Sequence, residues 1–257
     1  MVPMRLRTAI LALAALALLG VEASAQRYSD RDDRDFKAGV FDYYVLALSW
    51  SPTYCAGRRD DRPEPQCDGK SGRPYAFVLH GLWPQFERGW PQHCRTEDRG
   101  WVPGPVADRM LDIMPSKKLI FNEYRKHGTC SGLGVDGYFD LSRKLYEKVK
   151  IPPRYERQTD DRLLVSPGEL VGEFQAANPQ LKPDAIAVQC GGPGNRLREV
   201  RICFDKSGDF RACGRNEDQR KLCSADRMYV PPVRLGAGGP PPRTPQNILP
   251  GPRDDRR

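Results

Sequence analysis

The sequence predicts an α+β fold: a central, largely antiparallel sheet packed with several helices and stapled by disulfides. Three observations carry that expectation. Strand-like runs flank the middle of the chain, at 41–50, 75–80, 186–190 and 200–204, while helical periods cluster between them. Segregating strands from helices favours α+β over a regular βαβ alternation. Eight cysteines, an even count with no Cys-x-x-Cys pair, read as disulfides of an exported chain rather than as thiolate ligands.

Taken in order, residues 1–25 read as a secretory signal. Arg5 and Arg7 precede an apolar run over 9–19, and Ala23-Ser24-Ala25 follows as a small-residue cleavage site. The run is well short of the roughly 20 residues that span a bilayer. A secreted or periplasmic monomer without membrane attachment is the expectation. Losing Arg5, Arg7 and Glu22 takes the formal charge from +8 to +7, an excess that steers polyanions such as RNA.

Residues 26–38 are a charged, disordered lead-in, rich in Arg and Asp, and 39–230 form the folded domain. The nearly continuous apolar run 41–50 (FDYYVLALSW) reads as a central strand buried on both faces. A second strand at 75–80 is expected to stop at Gly81 and Pro84. Over 105–127 the pattern turns helical, with Pro115 dividing two helices. The second is expected to run from Ser116 to His127 and to end at Gly128 in a left-handed cap. Tyr138, Leu141, Leu145 and Val149 mark another helix. Ser166-Pro167-Gly168-Glu169 has the form of a capping box with proline at the first helical position. Alternation then returns at Ile186, Val188 and Cys190 and at Val200, Ile202 and Phe204, with 205–209 as a turn. The stretch 231–257, dominated by Pro, Gly and Arg, reads as a disordered tail.

The chain holds three histidines: His80, His93 and His127. His80 closes a strand. His127 closes a helix on which Glu123, Lys126 and His127 stand at i, i+3 and i+4, hence on one face. A carboxylate, an ammonium and an imidazole so placed can bind a phosphate and move protons near neutral pH. The same spacing also suits a surface ion pair beside a histidine that faces the helix dipole. His93, beside Cys94, reads as structural or surface.

The strings FVLHGLWPQ (77–85) and FNEYRKHGTCSG (121–132) resemble the two active-site segments of the RNase T2 family of acid–base endoribonucleases, and YVLALSWSPTYC (44–55) resembles that family's first core strand. The resemblance covers roughly 40–225. It implies that His80 and His127 are the catalytic histidines and that Glu123 and Lys126 stabilise the phosphate in its transition state. It also implies that Trp83 helps to hold a base. Asn122 stands where the family commonly has a third, phosphate-binding histidine; it can donate a hydrogen bond but cannot be cationic. Gln85 stands where some members have Asp, so base preference does not carry over. By the same resemblance the disulfides are Cys94–Cys130, Cys190–Cys223, Cys203–Cys213 and Cys55–Cys67, whereas sequence alone allows 105 pairings.

The activity implied is cleavage of single-stranded RNA to 2′,3′-cyclic phosphate ends. No metal or cofactor is required, and DNA, which lacks the 2′-hydroxyl, is not cut. By resemblance His127 is the base and His80 the acid, an assignment the sequence itself leaves open. Two other classes compete. One is an RNA-binding or storage protein of the same fold with weakened catalysis. The other is a Cys–His hydrolase built on Cys130, which an even cysteine count in an oxidising compartment disfavours.

Overall fold

The computed structural model describes residues 36–58, 64–70 and 72–234. The expected signal sequence, nearly all of the charged lead-in and the tail beyond 234 lie outside them.

Strand β1 (Tyr43–Trp50) is the centre of the molecule, as its unbroken apolar run predicts. On one side it pairs antiparallel with β2 (Phe77–Gln85), on the other with β5 (Arg196–Phe204). The far edge of β5 pairs antiparallel with β4 (Ile186–Gly191), and two short strands, β3 (Leu164–Val165) and β6 (Met228–Tyr229), extend the sheet. The α+β, disulfide-stapled fold is therefore the one the sequence predicts.

Strand periodicity divides β1 into two faces. Tyr44, Leu46, Leu48 and Trp50 point into the main core, which also holds Phe77, Leu79, Ile120, Tyr138, Phe139 and Phe174. Tyr43 and Val45 point the other way, with Cys203 and Trp83. On that second face β1 continues with Ala47 and Ser49, small residues that leave room above the sheet.

Helices pack around the sheet: α1 (Ser51–Ala56), α2 (Gly104–Asp108), α3 (Lys117–Lys126), α4 (Gly134–Lys148), α5 (Pro153–Glu156), α6 (Pro167–Ala177) and α7 (Gln219–Leu222). The predicted capping box is present: Ser166 Oγ accepts from Glu169 N–H and Glu169 returns a carboxylate to Ser166 N–H. The 205–209 turn is closed by a bridge between Phe204 and Phe210.

Three expectations are corrected. First, β2 does not stop at Gly81 and Pro84 but runs to Gln85. It lies at one end of the strand order, so the face of Pro84 without an N–H meets no partner strand. Leu79 pairs with Leu48 and Gly81 with Ala47, which leaves His80 as the extra residue of a β-bulge. Second, α3 is not capped by a left-handed Gly128. The chain passes directly into a 3₁₀ turn over Gly128–Ser131, and the left-handed residue is Gly132, at φ 75°. Gly128 is needed for space, since a Cβ there would stand 2.3 Å from the Tyr124 ring. Third, order does not end at 230. Pro231 and Pro232 are buried, and Pro231 C=O accepts from the Trp50 indole N–H at 3.0 Å.

All four disulfides pair as the resemblance implied. Cys94–Cys130 has a direct bearing on the site. It ties the segment after β2 to the turn that follows α3, and His93 N–H donates to Lys126 C=O in the same place.

Candidate active site

A cleft of about 810 Å³ opens on the second face of the sheet, over Ser49. His80, Trp83 and Gln85 line it from β2, Glu123, Lys126 and His127 from the end of α3. Residues more than forty positions apart in sequence thus meet, as the one-face spacing on α3 anticipates. Asn122 is exposed and is not among the lining residues, and His93 is exposed and outside the cleft.

Glu123 is the centre of the arrangement. Its side chain is buried; Oε2 accepts from the Trp83 indole N–H at 2.7 Å, and Oε1 lies 3.4 Å from His80 Nε2. The Trp83 ring contacts both imidazoles, at centroid distances of 5.1 Å to His80 and 5.3 Å to His127, with the Arg201 guanidinium 5.1 Å over it. Trp83 therefore supports the carboxylate and both histidines, a set of contacts beyond the base-holding role that the resemblance implies. Gly81 completes the packing. A Cβ there would fall 2.2 Å from Glu123 Oε2.

The two histidines sit in opposite electrostatic settings. His80 Nδ1 is 2.6 Å from Glu199 Oε1, while Nε2 faces Glu123. Burial works against charge on the ring. The two carboxylates outweigh it and push the His80 pKa up to about 10. A neutral ring would also turn one lone pair onto an anion, which independently favours the imidazolium. Glu123 is held as a carboxylate despite its burial, chiefly by hydrogen bonding and attraction to His80.

His127 is enclosed, and its Nδ1 is buried without a hydrogen-bond partner. Burial lowers its pKa to about 4, with Lys126 and His80 adding to the fall and Glu123 opposing it. His127 is thus neutral where His80 is charged.

Sequence reasoning missed the far wall of the cleft. Glu199 and Arg201 on β5 and Asn216 and Glu217 beyond it also line it. Arg201 reaches the second oxygen of Glu199 through Nε at 3.2 Å and Nη2 at 3.1 Å. Asn216 Nδ2 donates to Gln85 Oε1 at 3.0 Å, so Gln85 is partly tied down. Tyr43 O–H donates to Glu217, whose pKa burial raises. The available signal was alternation: in Glu199-Val200-Arg201-Ile202, charged residues occupy every second position of a strand whose other face is core. Among the described residues, no three His, Cys, Asp or Glu side chains cluster as a metal-ligand set.

Known proteins resemble this chain in sequence and in fold. The family model described as the Ribonuclease T2 family matches residues 41–213. A ribonuclease of Aeromonas hydrophila is 37% identical over 202 residues, covering 73% of this chain and 83% of that protein. The ribonuclease T2 protein rnst-2 of Caenorhabditis elegans is 36% identical over 210 residues, covering 74% of this chain and 70% of that one. Among solved structures, RNase NT in complex with 5′-AMP superposes with a TM-score of 0.55 at 24% identity, over 75% of this chain and 99% of its own. An RNase-related protein from Calystegia sepium gives 0.57 at 20% identity, over 75% and 98%. These two establish the fold. With both motif segments inside the matched span, the chain belongs to the ribonuclease T2 family and is an RNase T2-type endoribonuclease.

Proposed function

We propose that this chain cleaves single-stranded RNA by metal-independent transesterification, with His127 as general base and His80 as general acid. The observation that carries the reading is the packing of both imidazoles around one buried carboxylate: Glu123 lies 3.4 Å from His80 Nε2 and accepts from Trp83, whose ring contacts His80 and His127. RNA supplies its own nucleophile. Neutral His127 takes the 2′-hydroxyl proton as that oxygen attacks phosphorus, and the His80 imidazolium delivers a proton to the departing 5′-oxygen. The product is a 2′,3′-cyclic phosphate. At 3.4 Å the contact of His80 Nε2 with Glu123 is long for a hydrogen bond, so Glu123 holds this proton only weakly.

Charge that develops on the nonbridging oxygens is offset by Lys126, whose exposed side chain lines the cleft. Glu123, being ionised, orients the two histidines rather than donating to a phosphate oxygen. Asn122 lies one helical turn before Lys126, so a role for it in binding is confined to a neighbouring phosphate at the rim. DNA, without a 2′-hydroxyl, is not a substrate. The chain acts as a monomer outside the cytoplasm. Its eight cysteines, all disulfide-bonded, support an oxidising compartment. Among the described residues no helix is long and apolar enough to cross a membrane.

The test is digestion of single-stranded RNA with and without EDTA, with identification of the new termini. Cyclic phosphate ends formed equally in EDTA are expected. Loss of activity that Mg²⁺ restores, or no cleavage by correctly folded protein, overturns the proposal.

A further inference from the structure

We propose that Glu199 is the positioning residue that commits His80 to the acid role, by accepting the ring's Nδ1–H and leaving Nε2–H as the proton for the leaving group. The inference rests on the acid–base reading above and extends it to a residue on a different strand, 119 positions from His80.

The sheet explains how Glu199 gets there. β5 is not adjacent to β2; β1 lies between them. Glu199 pairs with Ser49 of β1, and Ser49 pairs on its other side with Val78 of β2. The small Ser49 side chain lets a glutamate reach across the middle strand. His80 follows Val78 by two residues and so stands on this same face, where the carboxylate meets it at 2.6 Å. Arg201, two residues along β5 and so on the same face, holds the other oxygen. One oxygen is fixed by a guanidinium, the other by an imidazole, and the group is buried, with 8% of its surface exposed. It has no freedom to turn elsewhere.

Glu123 does not substitute for it. Glu123 is engaged by Trp83 and stands farther from His80, at 3.4 Å against 2.6 Å. It also faces His127, so its field acts on base and acid alike. Glu199 faces the acid alone. The other charged or titratable groups around His80 are Lys126 and His127 at the end of α3, Arg201 on β5, and Tyr54 and Glu64, which line a small recess beside the ring. Among the carboxylates that draw a proton toward His80, Glu199 makes the shorter contact, at 2.6 Å against 3.4 Å for Glu123.

The experiment uses the full protein with Glu199→Gln and Glu199→Asp. Gln keeps an oxygen that can accept the Nδ1–H and removes the charge. Asp keeps the charge on a shorter stem. Two readouts are taken: the pH profile of kcat/KM on a dinucleoside monophosphate, and the titration of His80 by NMR in the free protein. For Glu199→Gln the alkaline limb and the His80 titration should move down together by about one to three pH units. The acid limb, set by His127, should stay in place. Glu199→Asp should recover part of the shift. If the wild-type protein cleaves with a bell-shaped profile and the alkaline limb of Glu199→Gln superimposes on it, this inference fails and the acid–base reading stands. If the wild-type protein does not cleave, the acid–base reading fails, and the NMR titration still reports whether Glu199 holds the proton. Should Glu199→Gln not fold, ¹⁵N-labelled wild-type protein decides. Both ring nitrogens of His80 should remain protonated at about pH 8, and a ring titrating near the ordinary value of about 6.5 would refute the proposal.

Discussion

Gly81→Ala removes no functional group, yet it should damage the site more than the fold. The added Cβ would lie 2.2 Å from Glu123 Oε2, 2.7 Å from Trp83 Nε1 and 3.0 Å from Glu123 Cδ. Non-bonded contacts to carbon settle at roughly 3.5 Å, so the carboxylate must retreat by about 1 Å. That movement breaks its hydrogen bond from Trp83 and changes its distance to His80. Overpacking of this kind costs about 1–3 kcal/mol, a fall of about 2–12 °C in Tm for a domain of this size. A displacement of about 1 Å in a catalytic group costs on the order of 100-fold in rate. The assay is kcat/KM on a dinucleoside monophosphate well below the melting temperature, with Tm measured by calorimetry. Gly172→Ala is the matched control. It lies inside α6 with nothing within 4 Å of the added Cβ, so it should stabilise by about 0.5–1 kcal/mol and leave the rate unchanged. If Gly81→Ala cleaves as fast as wild type, Glu123 has a freedom that this packing denies, and its place at the centre of the site is wrong.

Three further outcomes are expected. The kcat/KM profile should rise through about pH 4 as His127 loses its proton and fall through about pH 10 as His80 loses its own; a bound phosphate anion favours charged His127, so the acid limb of kcat itself should lie higher, and coincident limbs would place the phosphate away from that ring. Replacing Cys94 and Cys130 by Ser opens a link of separation 36, worth about 4 kcal/mol by loop entropy, and should cut activity below Tm; replacing Cys55 and Cys67, of separation 12 and worth about 3 kcal/mol, should lower Tm alone. Lys126→Ala should lose about 100-fold or more in kcat/KM with Tm unchanged, because the side chain is exposed; a loss below three-fold would remove it from transition-state stabilisation.

What the sequence discloses and what it hides follow from range. β1 was legible because a central strand needs an unbroken apolar run, and the face shared by Glu123, Lys126 and His127 because helical spacing is local. β2 was cut short because Gly81 and Pro84 are read as breakers. Here Pro84 is tolerated at the edge of the sheet, and Gly81 is demanded by the carboxylate of a distant helix. Even so, the core positions 77, 79 and 82 break a period of two, which is the trace of the bulge at His80. Gly128 was misread for a similar reason: its requirement comes from the Tyr124 and Tyr138 rings, not from its own dihedral angles. Alternation marks Glu199 and Arg201 as facing away from the core, but not as site residues, because His80 lies two strands away and only the order of strands brings them together.

Under the proposed acid–base mechanism, the surroundings of the two rings give chemically identical groups opposite duties. An imidazole on an isolated strand or helix would titrate near neutrality, and neither ring would be reliably acid or base. His80 is bulged out of an edge strand into a gap bounded by two carboxylates from different elements, so losing its proton would strand two anions in a half-buried space. His127 ends a helix whose dipole favours positive charge, yet enclosure and the adjacent Lys126 overcome that preference. Either setting alone would leave one member of the pair in the wrong state. Glu123 links them, because its charge stabilises the cation on one side while its bond from Trp83 keeps it from closing onto the base. On the proposed mechanism, catalysis then needs no proton to be fetched from solvent before the first step, because His80 starts loaded and His127 empty.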